Sequence, residues 1–440
     1  MKSSTKKDGG SFAVDIRGRA IFAEGITKIS RFAFSGEDRL LEVTVPEGVV
    51  EIGNRAFDTC VNLKRVVLPK SLKKIGHGAF FGCSSLTEIN FPKSLEAISA
   101  RAFYGCASLA SVKLPTSVSS LGAYAFGECR ALTEAYLDCK IEKLPTGLFF
   151  CSHSVKKLTL PRTLTELCQK DIKWLYALEM NKHGGGYYLP SADCDTFALV
   201  DSQDGVGCEM KIADGCRIIL GYALRGRSRL VRVDIPDTVS FIGKSAFIGC
   251  SSLKEIKLPR ELKVISESAF YGCRSLVIIE VPDGVTKIPD KCFYKCESLC
   301  LVEIPETVSY IGDMAFAYCK SLEGVTLPSG LSHLGGGAFY ACSSLGAAAI
   351  PDGITEIGIA LFIYCKALRE VRLPSGLVKI LRASFKGCSE LGSLVLGGEL
   401  SFIGEDAFVG CRTLRLSVPE NSYAKEYAIR KNIEFSTNIC

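Results

Sequence analysis

The chain is poor in several of the residues from which active sites are built. Its 440 residues include one tryptophan, four methionines and four histidines. No Asn-x-Ser/Thr sequon occurs, which argues against a eukaryotic secreted glycoprotein. There is no acidic or basic tail, and 53 Lys and Arg against 47 Asp and Glu leave a net charge of only +6. That charge is too dilute to direct binding to nucleic acid or to an anionic membrane. No apolar run approaches the roughly 18 residues of a spanning helix. The best stretches, such as Leu345 to Ile350 and Ile357 to Cys365, stop at Pro351 or after one short segment. Met1 to Gly10 is polar and the next apolar stretch, from Phe12, is broken by Asp15, Arg17 and Arg19, so no secretory leader is expected at this end. A protein kept inside the cell and one whose leader is missing from this chain both fit.

Cysteine, by contrast, is abundant: 21 residues in a chain that is 47% hydrophobic and 23% charged. A disulfide framework belongs to small secreted chains with little core, and neither the odd count nor the composition suits one. The spacing is more informative. Cys60, Cys83, Cys106 and Cys129 are 23 apart, as are Cys250, Cys273, Cys296, Cys319, Cys342, Cys365, Cys388 and Cys411. Aligned units read A-F-x-x-C-x-x-L-x-x-V-x-L-P-x-x-L-x-x-I-G, for example Ala79-Phe80 with Cys83, Leu86, Ile89, Phe91, Pro92, Leu95 and Ile98. A fixed period of this length is the signature of a solenoid.

Each position in the unit has a physical task. Alternation such as Ile256 and Leu258 about Lys257 predicts a half-buried strand, one per repeat, stacked in parallel. The proline that follows, as at Pro69, Pro92 and Pro259, has no N–H to give and ends the pairing at one place on every turn. A second short extended piece, such as Leu262 to Ile265, should come next. The A-F-x-x-C stretch is then predicted as a single helical or 3₁₀ turn, with alanine where backbones crowd and phenylalanine as a core spine.

About 16 turns are expected. Ala33-Phe34 with Leu40 opens the array. Cys151 falls 22 residues after Cys129, which suggests a turn that has lost one residue around Leu144 to Phe149. Leu160 to Met180 keeps the pattern with Leu175 at the cysteine position. Ala223-Leu224 with Arg227 and Leu230 resumes it. The expected organisation is a disordered segment 1–11, repeats over 12–180, an insertion at 181–211, repeats over 212–419 and a cap at 420–440, forming one continuous solenoid. In the insertion, Gly184-Gly185-Gly186, Tyr187-Tyr188-Leu189 and Phe197 to Val200, with Asp204-Gly205 as a turn signal, predict a strand-rich hairpin. In the cap, Asn421 or Ser422 can start a helix through Lys431 with Ala424, Tyr427 and Ala428 on one face, followed by a last strand at Ile433 to Phe435.

The recurrence of the Ala-Phe pair, cysteine and proline at this period resembles the BspA-like leucine-rich repeat family over roughly residues 20 to 419. The interruption near Tyr187 to Cys216 and the ending Ser422-Tyr423-Ala424-Lys425-Glu426-Tyr427-Ala428 are similar to features of that family. The resemblance implies a leucine-rich repeat solenoid with a parallel sheet on its concave face. It further implies a non-enzymatic surface or secreted protein of bacteria or protozoa, adhesin-like, engaging a protein ligand. The free thiols expected below, and the lack of a leader, fit an intracellular interaction scaffold instead.

No catalytic or cofactor site is expected. His77, His153, His183 and His333 sit at unrelated register positions, with no H-E-x-x-H and no Cys/His pair at zinc spacing. Cys292, Cys296 and Cys300 invite a metal reading, but in register Cys292 replaces the alanine, Cys296 is the repeat cysteine and Cys300 follows an inward leucine. Their side chains should therefore diverge. The 13 repeat cysteines, counting Cys151, are expected as buried free thiols donating weakly to backbone carbonyls. Stacked neighbours about 4.8 Å apart have parallel Cβ vectors, which disfavours disulfides. Gly335-Gly336-Gly337 and Gly184-Gly185-Gly186 lack the Lys-Ser/Thr of a phosphate loop and read as turns.

A partner would meet the outward residues of the long strands. In the first half these are Glu42, Arg65, Glu88, Ser111, Glu134 and Lys157, whose opposite charges fall on stacked neighbours. In the second half the column runs Arg232, Glu255, Ile278, Leu301, Gly324, Ala347 and Glu370. Ile278 and Leu301, bordered by Glu280 and Glu303, form the leading candidate for protein binding, with the hairpin residues Tyr187 and Tyr188 second. The chain is expected to act as a monomer, without nucleic acid and without a transmembrane segment.

Overall fold

The computed structural model describes residues 12–165, 180–191, 194–202 and 207–437. Segment 1–11, Leu175 and the Asp204-Gly205 turn lie outside the described residues. The chain divides into two compact units, Met1–Lys182 with Tyr188–Ala198 and His183–Tyr187 with Leu199–Cys440. Both are wound from the same 23-residue turn, about 17 turns in all, and among the described residues there is almost no helix.

In the first unit the long strands Glu42–Thr44, Arg65–Val67 and Glu88–Ile89 pair in parallel, Val43 opposite Val66 and Val66 opposite Ile89. Within Arg65–Val67 only the middle residue is buried, as a period of two requires. The chain then turns: the Pro69 carbonyl accepts the Leu72 N–H at 3.2 Å. A second parallel ladder follows, built from Lys28–Ile29, Glu51–Ile52, Lys74–Ile75, Ala97–Ile98 and Ser120–Leu121.

The A-F-x-x-C arc differs from the expected helical turn. Ala56 and Asp58 donate to Gly53 and Arg55, three residues back, as in a 3₁₀ turn, but Arg55, Phe57 and Thr59 donate to His77, Ala79 and Phe81 on the next turn. Alternate N–H groups thus leave the arc, and a continuous helix cannot form. Left-handed residues cause the break: Arg55 has φ 53° and Thr59 φ 55°. Glycine often takes the second of these positions, as at Gly82, Gly105 and Gly272, because it adopts positive φ without a Cβ penalty.

Two internal columns hold the turns together. The spine phenylalanines stack face to face, Phe34, Phe57, Phe80 and Phe103 with ring centroids 5.1 to 5.2 Å apart. Beside them each cysteine thiol donates to the carbonyl of the spine phenylalanine one turn earlier, Cys83 to Phe57 at 3.0 Å and Cys106 to Phe80 at 3.2 Å. The turn after Cys129 has lost no residue: Phe149 stacks on Phe126, and Ser152 occupies the cysteine position. Its hydroxyl donates to the Phe126 carbonyl at 2.9 Å and accepts the Cys129 N–H at 3.0 Å. Cys151 is instead the left-handed residue before it, with φ 56°.

The second unit repeats this plan. Its spine runs from Phe247 through Phe270, Phe293, Phe316, Phe339, Phe362 and Phe385 to Phe408. The repeat register holds from Glu209–Lys211, which pairs with Arg232–Asp234, so this rung lies inside the segment read from sequence as an insertion. Strands Asn181–His183, Gly186–Ser191 and Cys194–Ser202 precede it in that segment. Arg227, at a cysteine position, donates to the Ser202 hydroxyl and carbonyl. At the other end the helix Tyr423–Lys431 starts on Ser422, whose hydroxyl accepts the Lys425 N–H, and buries Ala424, Tyr427 and Ala428. Strand Glu434–Ser436 pairs with Arg415–Ser417, one residue later than the sequence pattern suggests.

Burial of the spine sets its worth. Phe270 is fully buried between Phe247 and Phe293, so Phe270→Ala should cost about 3 to 5 kcal/mol in denaturant unfolding. A loss below about 1 kcal/mol would show that the ring is not a core element.

Burial also acts on the thiols. It pushes Cys60, Cys129, Cys250 and Cys342 from 9.0 up to about 12. An unfolded chain ionises these thiols near 9.0 while the folded chain keeps its protons to about 12, so it binds fewer protons than the fold in between. Stability should therefore be full below pH 9 and fall as the pH rises toward 12, read from denaturant midpoints.

A third expectation is chemical. Thiol reagents should modify few groups in the native protein and most of the 21 after denaturation without reductant. Finding them mostly paired after denaturation would overturn the thiol ladder.

Candidate protein-binding surface

On the long-strand face of the second unit, Ile278–Glu280 and Leu301–Glu303 pair in parallel with Ile278 opposite Leu301, Ile279 opposite Val302 and Glu280 opposite Glu303. Ile279 and Val302 are buried in the core. The alternation leaves Ile278 46% and Leu301 43% exposed, with both glutamates exposed beside them. Val277, 40% exposed, and the half-buried Cys300, whose thiol donates to the Val277 carbonyl at 3.4 Å, widen the apolar patch. Sequence reasoning missed these two because they precede the strand and carry no alternation signal; the only clue was an apolar residue where other turns have Lys254, Glu323 or Arg369.

Regular pairing of the face is interrupted on both sides of this two-stranded piece, before it after Glu255–Ile256 and beyond it before Gly324–Val325. A groove follows each interruption. The first is lined by Lys257, Ile278, Glu280 and Glu303, the second by Leu301, Gly324, Thr326, Ala347, Ala349 and Arg372. The patch is thus a ridge between two hollows. Among the described residues no ion pair involves Glu280 or Glu303, nor Glu255, Lys257 or Glu370 on the same face, whereas off these strands Arg260 meets Asp237 at 2.8 Å and Lys244 meets Glu267 at 2.7 Å.

On the same face of the first unit some charges do pair. Glu134 holds Lys157 at 3.1 Å and accepts the Tyr136 hydroxyl at 3.0 Å, and the Lys157 hydrogen bond lowers the Glu134 carboxyl. Tyr188 must be withdrawn as a contact residue: it is fully buried because the strand Gly186–Ser191 turns it inward, and Tyr187 is half-buried.

Cys292 and Cys296 are buried in the core and burial raises both thiols, while Cys300 lies apart on the face. Among the described residues no cluster of His, Cys, Asp or Glu could hold a metal ion, and no helix is long and apolar enough to cross a membrane.

None of the curated proteins matches the chain. Solved structures similar to it include a leucine-rich repeat protein from Bacteroides ovatus, 23% identical over 99% of this chain and 97% of that one, with a TM-score of 0.35. A leucine rich cell surface protein from Faecalibacterium prausnitzii is 24% identical over 84% of this chain and 95% of its own, also at 0.35. The T. pallidum leucine rich repeat protein is 25% identical over 60% of this chain and all of its own, again at 0.35. The model of the BspA type leucine rich repeat region matches residues 18–72, 50–173, 217–345 and 286–415. Those matches take in repeats of both units, and the chain belongs to the BspA-type leucine-rich repeat family.

Proposed function

We propose that this is a non-enzymatic, adhesin-like repeat protein that binds a protein ligand through the concave strand face of its second unit. One observation carries the reading. Ile278 and Leu301 stand exposed side by side on a column where Arg232, Glu255 and Glu370 stand on other turns, next to two carboxylates that form no ion pair among the described residues. An apolar centre with a polar border is the composition of a protein interface rather than of a solvated sheet. The repeat architecture supports it, since stacked turns present their outward residues as one extended surface.

An intracellular scaffold remains the second reading, favoured by the thiol ladder, which a reducing compartment would preserve. The genomic reading frame upstream of Met1 separates the two: a leader or a wall anchor in the same gene decides for the surface.

Replacing Ile278 and Leu301 together by Asp should leave the circular dichroism spectrum and melting profile unchanged and abolish pull-down of the protein partner. Ile279→Asp or Val302→Asp, one residue along, should unfold the unit by burying an unpaired charge. Early melting of the double variant would mean that the strand faces are reversed. A double variant that folds and still binds would place the site elsewhere.

A further inference from the structure

We infer that the occupant of this face is an extended polypeptide segment in which a lysine or arginine stands two residues from a bulky apolar side chain. The inference rests on the reading of the strand face as the binding surface and goes on to name what that surface selects.

Glu280 and Glu303 are register neighbours, which places their strands about 4.8 Å apart. Like charges directly across a ladder repel, and no side chain of the described residues forms an ion pair with either. A cation brought by a ligand removes that repulsion. The same pair disfavours polyanions, so nucleic acid and anionic lipid fit poorly.

The apolar half of the site is a notch. Gly324 is exposed and a Cβ built on it would meet nothing within 4 Å. Its register partner is Ala347, and Leu301 walls it on the preceding turn. Other turns of the column carry Arg232, Glu255 and Glu370, so the floor drops at Gly324 and Ala347. The notch has aliphatic walls and no aromatic platform, which suits a leucine or phenylalanine side chain better than a sugar ring.

Spacing links the halves. From Glu303 to Gly324 is one turn along the array and two residues along a strand, roughly 8 Å from strand spacings. Side chains on one side of an extended peptide recur about every 6.6 to 7 Å, so a cation on the carboxylates delivers the apolar side chain two residues away to the notch.

The test is selection of a random linear peptide library on phage against the full chain. The enriched peptides should share Lys or Arg two positions from Leu, Ile, Met or Phe. A synthetic consensus peptide, followed by fluorescence anisotropy, should bind at least tenfold more weakly to Glu280→Gln/Glu303→Gln and to Gly324→Trp, and more weakly at higher salt. Gly324→Trp fills open space at a residue without positive φ, and the Gln pair relieves repulsion, so both variants should melt no earlier than the parent. Peptides that lose binding in Ile278→Asp/Leu301→Asp but ignore the Gln pair and Gly324→Trp would overturn this inference and leave the surface reading intact. Peptides indifferent to all of these variants would overturn both. Enrichment of acidic peptides, or of none, would overturn the basic linear ligand.

Discussion

A buried backbone carbonyl must be given a hydrogen, and in this molecule the hydrogen comes from the neighbouring turn. Turns are too short to satisfy themselves: half of the N–H groups in each A-F-x-x-C arc bond to the next arc, and spine phenylalanine carbonyls are met by a thiol, or at Ser152 a hydroxyl, 26 residues ahead. The stacking distance follows from these bonds. It matches the separation at which the phenylalanine rings rest on one another, so polar and apolar demands agree on one rise per turn. Any residue out of phase would break both at once, which is why the period is so strict.

That agreement leaves the outward columns free. Ile279 and Val302 are committed to the core, while Ile278, Glu280, Leu301 and Glu303 on the same strands touch nothing that the fold requires. A face of this kind can change its chemistry turn by turn at little cost in stability. The first unit uses the freedom to compensate charge, as with Glu134 and Lys157. The second leaves two carboxylates and two aliphatic side chains unanswered.

Most of the architecture was legible in the sequence because periodic burial leaves periodic residues. The strands, the prolines after them, the phenylalanine spine and the cap helix on Ser422 all follow from spacing. Legibility failed where one residue type was taken for a position. Cys151 looked like a repeat cysteine and was read as a slip, yet Ser152 does the same work, since a hydroxyl also donates to the Phe126 carbonyl. Tyr188 looked like a surface tyrosine because a hairpin without periodicity gives no sign of which side faces in. Val277 and Cys300 carried no sign of belonging to the surface patch for the reverse reason: they lie off the strand, where alternation says nothing. The notch at Gly324 is legible only as an absence, and absences carry meaning once the neighbouring turns are in place.

The last ring of the second spine is not a phenylalanine. Tyr427, on the cap helix, meets Phe408 edge to face at 6.1 Å, and its hydroxyl donates to the Gly404 carbonyl at 3.2 Å. A further ring arriving from that side would find an edge where it needs a face. The array is therefore closed to extension there. At this end new turns can enter the lineage only ahead of the cap, as whole units of the period, so duplication would renew the turns before it while the cap stays old.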